Sequence, residues 1–141
     1  MAIMVNAAEP RTTRLQIKSD GDVVVARMKG RELAARIGFS GIDLTLLSTA
    51  ISEIARNIVS YAERGEISLS IVQDGRRLGI LVVARDDGPG IPDIEQAMED
   101  GFSTGRSLGL GLPGARRLVD EFDIESTVGV GTTVTLCKWA K

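Results

Sequence analysis

Residues 44–62, LTLLSTAISEIARNIVSYA, place Leu44, Leu47, Ile51, Ile54 and Ile58 at spacings of three and four. That is the period of one face of an α-helix, and it is the strongest pattern in the chain. Such a stripe is stable only against another apolar surface. Two downstream segments supply one. Residues 66–73 (EISLSIVQ) and 78–85 (LGILVVAR) read as strands, with a hairpin signal at Asp74–Gly75 between them. The second strand is almost wholly apolar, which predicts a central place in the sheet. A long amphipathic helix beside such a hairpin predicts helices layered on a sheet.

The rest of the chain fits this plan. Residues 1–13 are weakly patterned and expected to be loose. Arg14–Ser19 alternates and reads as a strand. Ser19 or Asp20 can cap a helix over about 22–37, and Gly38 ends it. Gly30 inside that helix costs about 1 kcal/mol against Ala. Asp43 is placed to cap the helix over 44–62. A glycine-rich passage over 86–111 holds a short helix at 93–99, helical spacing resumes over 112–121, and 123–128 with 131–138 form a closing hairpin across Gly129. The expectation is one α/β domain over residues 1–141, a two-layer α/β sandwich whose mixed sheet is covered on one face by helices.

Composition removes several classes of function. The 141 residues suit one domain, and 43% hydrophobic content can bury a core that 4% aromatics must leave mostly aliphatic. Seventeen basic and 19 acidic residues are well mixed, for a net charge of -2. Nucleic acid is not an expected partner, because a binding face would concentrate basic residues. Arg76–Arg77 and Arg116–Arg117 read as solvated faces. No stretch approaches the roughly 20 apolar residues of a membrane span. The start, MAIMVNAAEPR, lacks the charged head and apolar core of a signal peptide. The single cysteine, Cys137, allows no intramolecular disulfide and reads as a small apolar filler. The cytoplasm is the natural compartment. The absence of histidine excludes His metal sites, Ser-His-Asp triads and a phospho-accepting histidine in this chain.

Four constellations can carry chemistry. Glu53 and Asn57 stand one helical turn apart on one face, roughly 120° from the centre of the aliphatic stripe. They lie beside the core, where a ligand can reach them. An amide oxygen suits Mg²⁺, and a carboxylate one turn away can orient and deprotonate a hydroxyl. Asp86-Asp87-Gly88-Pro89-Gly90 ends the apolar strand in a rigid bend where backbone can approach a ligand. A carboxylate there can accept from an exocyclic amine such as that of adenine. Gly109-Leu110-Gly111-Leu112-Pro113-Gly114 enters a helix, where glycine amides can hold phosphates. It follows a polar loop rather than a strand, so it is not a dinucleotide fingerprint, and no GxxxxGK[ST] is present. Gly129-Val130-Gly131-Thr132-Thr133 alone is only a turn. Singly, each reads as a solvated helix pair, an acidic turn, a glycine turn or a hairpin.

Their order is more specific. An ExxxN helix, a strand ending in DxGxG, a glycine-rich loop into a helix and a G-T hairpin resemble, over about residues 15–138, the GHKL or Bergerat-fold ATPases. That family includes gyrase B, the Hsp90 chaperones, MutL, the histidine kinases and the anti-sigma-factor serine kinases. The resemblance implies ATP and Mg²⁺ as cofactors, with Glu53 the general base and Asn57 the Mg²⁺ ligand. It implies Asp86 on the adenine amino group with Thr132 nearby, and Gly88 and Gly90 shaping that turn. Gly105 to Gly114, including Gly105, Gly109, Leu110 and Gly111, would form an ATP lid with amides on the phosphates. Arg106, the lone cation there, is the candidate for the γ-phosphate. Residues 100–111 are expected to order around the triphosphate, because four glycines with few apolar residues make unliganded order costly.

Within the family, the lack of histidine argues for the small stand-alone serine kinases. GPGIPDIEQAMEDGFSTGRSLGLGLPGARRLVDEF and TTVTLCKW are similar to the stressosome switch kinases, with anti-sigma-factor kinases close by. The implied partners are a STAS-domain protein phosphorylated on serine or threonine and a second target that activates a phosphatase after release. A weak homodimer is compatible with the resemblance. The alternative is an anti-sigma factor that binds a sigma factor and an anti-anti-sigma protein.

Overall fold

The computed structural model describes residues 4–5, 12–99 and 111–141. Two strands, β1 (Met4–Val5) and β2 (Thr12–Ile17), precede two helices, α1 (Asp20–Arg36) and α2 (Ile42–Tyr61). A long hairpin follows, β3 (Gly65–Asp74) and β4 (Arg77–Asp86), then the single turn α3 (Ile94–Ala97), α4 (Gly111–Leu118), β5 (Glu121–Thr127) and β6 (Gly131–Trp139). These form one sheet ordered β1-β3-β4-β6-β5, with β2 also on β3. The apolar strand β4 is central, as its composition predicts.

The α/β sandwich matches the expectation, with one correction: every pairing among the described strands is antiparallel rather than mixed. The reason is topological. The connection from β4 through α4 returns β5 parallel to β4, but β6 lies between them and opposes both. Residues 1–13 were expected to be loose, yet Met4 and Val5 pair with Gln73 and Val72. The β3 edge beyond β2 is free to accept them.

The core lies between the helices and one sheet face. Leu47, Ile51, Ile54 and Ile58 of α2 pack with Ile67 and Leu69 of β3, Ile80 and Val82 of β4, and Val134 and Leu136 of β6. Ser48 and Ser52, also buried on α2, donate to the carbonyls of Leu44 and Ser48, so neither hydroxyl is left unpaired. Helix α1 adds Val23, Ala26, Gly30 and Ala34. A Cβ at Gly30 would run into Ile51 Cδ1, so the glycine that weakens α1 locally lets the two helices approach.

Helix starts follow tertiary needs. Ser19 caps α1, its side chain accepting from Asp22 N–H. The N-cap of α2 is Gly41 at φ 55, not Asp43. Asp43 sits in the first turn, 3.8 Å from Lys138 Nζ and 3.9 Å from Lys141 Nζ. The Lys138 side chain is only 6% exposed, and a buried ammonium needs such a partner. Among the described residues, no helix is long and apolar enough to cross a membrane.

A smaller cluster, Val72, Cys137 and Trp139 with Leu81, lies on the other sheet face. Arg77 stacks 4.3 Å over the Trp139 ring, and Trp139 Nε1 donates to Glu121. Burial pushes the Cys137 thiol from 9.0 up to about 12, with the negative charges of Glu121 and Asp120 adding and Arg77 opposing. The thiolate is the reactive form. A thiol reagent at neutral pH should therefore leave folded protein unmodified and label it only on unfolding; rapid labelling of the native state would contradict this placement. The thiol favours folding below its unfolded value of 9.0, and that contribution is lost as pH rises towards about 12.

Candidate nucleotide site

The site grows from the C-terminal half of α2. Its aliphatic stripe fixes the rotation of the helix, so Glu53 and Asn57 emerge beside the core. Asn57 is half-buried, but Glu53 is only 5% exposed. Glu53 is more enclosed than its helical position alone predicts, because α4 packs across it. Its Oε2 accepts from Gly111 N–H at 2.9 Å, and its Oε1 accepts from Arg56 Nη1 at 2.8 Å. The glycine string and the ExxxN helix, 58 residues apart, therefore meet directly.

A second cluster forms at the end of β4. Asp86 Oδ1 accepts from Gly88 N–H at 2.9 Å, closing an Asx-type turn. Gly88 backs onto Ala62, just past α2, where an added Cβ would lie 2.6 Å from the alanine methyl. Asp86 is paired in register with Thr132 of β6. Thr132 is buried, and its Oγ1 lies 2.8 Å from Ser126 Oγ. Ser126 also accepts from Ile91 N–H at 2.7 Å and donates to Gly131 O at 3.2 Å. The β5–β6 hairpin is thereby fastened to the loop after Asp86, as is Gly129 N–H through Pro89 O at 2.9 Å.

Two glycines in this cluster need their freedom. Gly90, at φ 79, presses its α-carbon face against Thr127, where a Cβ would lie 2.5 Å from the carbonyl oxygen. Gly131, at φ 146, lies on the backbone of Asp86, and a Cβ would collide with that residue's carbonyl oxygen. Gly131→Ala should cost roughly 2 kcal/mol or more through strain and clash, and should displace Asp86. A melting temperature like that of the wild type would contradict that close approach.

The geometry joins Glu53 to Gly111 on one side of α2 and Asp86 to Gly88 and Thr132 near its end, with Gly90 in the loop that follows Asp86; Asn57 stands one turn along α2 from Glu53. Gly105, Arg106, Gly109 and Leu110 lie outside the described residues, as does the lid expectation apart from Gly111. Sequence reasoning missed Arg56 and Ser126. Arg56 could have been found from its i,i+3 spacing to Glu53. Ser126 has meaning only through its cross-strand neighbour Thr132. Among the described residues, no group of three or more His, Cys, Asp or Glu could hold a metal ion.

The chain resembles known proteins over most of its length. Residues 42–140 match the family described as histidine kinase-, DNA gyrase B-, and HSP90-like ATPase. The chain is 47% identical over 127 residues to the serine/threonine-protein kinase RsbT of Bacillus subtilis (strain 168), covering 90% of this chain and 96% of that protein. It is 34% identical over 121 residues to the anti-sigma F factor of Geobacillus stearothermophilus, covering 80% and 81%. Among solved structures, the catalytic domain of histidine kinase ThkA aligns over 89% of this chain and 95% of its own, with a TM-score of 0.47 and 15% identity.

Proposed function

The chain belongs to the histidine kinase-, DNA gyrase B-, and HSP90-like ATPase family, and from that premise we propose that it is an ATP- and Mg²⁺-dependent protein serine/threonine kinase that switches partners. The observation that carries the reading is the meeting of Glu53, on the ExxxN helix, with the Gly111 amide at the end of the glycine string. That contact supports the reading, since a carboxylate base near a backbone donor to phosphate is a combination that transfer of a phosphoryl group to a hydroxyl can use.

Each residue has one task. The Asp86 carboxylate uses Oδ1 to hold its own turn, so Oδ2 can accept from the adenine amino group, with Thr132 alongside. Gly88, Gly90 and Gly131 keep backbone close there, since a side chain at any of them would fill the space. When bound, Mg²⁺ neutralises phosphate charge. The Asn57 amide oxygen, a hard donor, is the residue that would hold it. The Gly111 amide and, by resemblance, Gly105, Arg106, Gly109 and Leu110 serve the phosphates. Glu53 takes the proton of the acceptor hydroxyl as that oxygen bonds the γ-phosphorus and the bond to the ADP oxygen breaks.

The proposed acceptor is a serine or threonine on a STAS-domain protein, in the cytoplasm, with release on phosphorylation and a switch to a target that activates a phosphatase. The 34% identity to an anti-sigma F factor supports a second reading, in which a sigma factor is a partner. Affinity capture in ATP and in ADP distinguishes them. A STAS-domain protein held before phosphorylation and released after it supports the first. A sigma factor retained in ATP supports the second.

A further inference from the structure

Glu53 is nearly buried, yet both its oxygens are held: Oε2 by Gly111 N–H at 2.9 Å and Oε1 by Arg56 Nη1 at 2.8 Å. The two donors differ in kind. The Gly111 amide belongs to the string assigned to the phosphates, so nucleotide competes with Glu53 for it. Arg56 belongs to α2 itself, three residues from Glu53, and moves with it. Its side chain is 44% exposed, so it is not needed to fill the core. Its planar, permanently charged guanidinium fixes both the direction and the ionised form of a carboxylate.

We infer that Arg56 is a positioning residue for phosphotransfer: it anchors Oε1 of Glu53 so that Oε2, once the Gly111 amide turns to the phosphates, faces the acceptor hydroxyl. This rests on the reading of Glu53 as the base. Without Arg56 the carboxylate has no described donor on its own helix, and it can rotate away from the hydroxyl or pair elsewhere. A misplacement of this scale costs on the order of 10- to 100-fold in rate without touching nucleotide contacts.

The test measures single-turnover phosphate transfer from labelled ATP to the acceptor identified for the wild type, with hydrolysis to ADP read in parallel. Arg56→Gln should lower kcat by roughly 10- to 100-fold, with ATP affinity close to that of the wild type and a lowered melting temperature, because the nearly buried Glu53 loses its cationic partner. Arg56→Lys, which keeps the charge, should recover part of the loss. In a Glu53→Gln background, Arg56→Gln should cause no further loss, because a residue acting through another has no effect once that other is gone. Wild-type kcat in Arg56→Gln, or an equal loss in the Glu53→Gln background, would overturn the inference. Wild-type transfer by Glu53→Gln alone would instead remove the base assignment beneath it.

Discussion

Glu53→Gln should lose phosphate transfer by about 10²–10⁴-fold while still binding ATP. The amide is nearly isosteric with the carboxylate. Its oxygen can still accept from Gly111 N–H or from Arg56, while the NH₂ that replaces the other oxygen meets a donor, and the amide takes no proton. The fold around α2 should therefore survive, with the defect confined to chemistry. Transfer measured beside nucleotide affinity separates the outcomes. A mutant that transfers at the wild-type rate would remove Glu53 as the base. A mutant that loses ATP binding as well would show that its contact to Gly111 builds the nucleotide site.

Asp86→Asn should weaken ATP binding by on the order of 2–3 kcal/mol, roughly 30- to 150-fold in Kd. The asparagine oxygen can keep the bond from Gly88 N–H, so the turn stays closed. The other carboxylate oxygen, however, becomes an NH₂ group aimed at the adenine amine, donor against donor. Calorimetry checks the affinity, and a thermal melt checks that the turn is intact. Unchanged affinity would contradict the adenine assignment.

Locally encoded features were legible in the sequence. The stripe from Leu44 to Ile58 announced α2, and the apolar run over 78–85 announced a central strand, because each pattern repeats the period of its own element. Glu53, Asn57, Asp86 and Thr132 could be singled out because their motifs are short and occur in a fixed order. What was not legible depends on residues distant in sequence. Asp43 looked like a cap, but it answers the charge of Lys138 on the last strand. The sheet was expected to be mixed because the insertion of β6 between β4 and β5 leaves no local mark. Gly30 looked like a cost until Ile51 was seen to occupy its space. Ser126 carries no motif, while Arg56 is within reach of Glu53 by its spacing but lies outside the ExxxN pair. Each matters through what it holds, the loop after Asp86 in one case and the Glu53 carboxylate in the other.

The central claim is transfer of phosphate from ATP to a protein hydroxyl, and its most direct measurement is the fate of label from γ-labelled ATP. The protein is mixed with a STAS-domain partner and Mg²⁺, and the labelled product is tested for acid stability and mapped. The account predicts an acid-stable phosphate on serine or threonine of the partner, none on the kinase itself, and none when Glu53 is replaced by glutamine. ATP bound tightly with no label passed to any partner, or an acid-labile label on histidine, would contradict it.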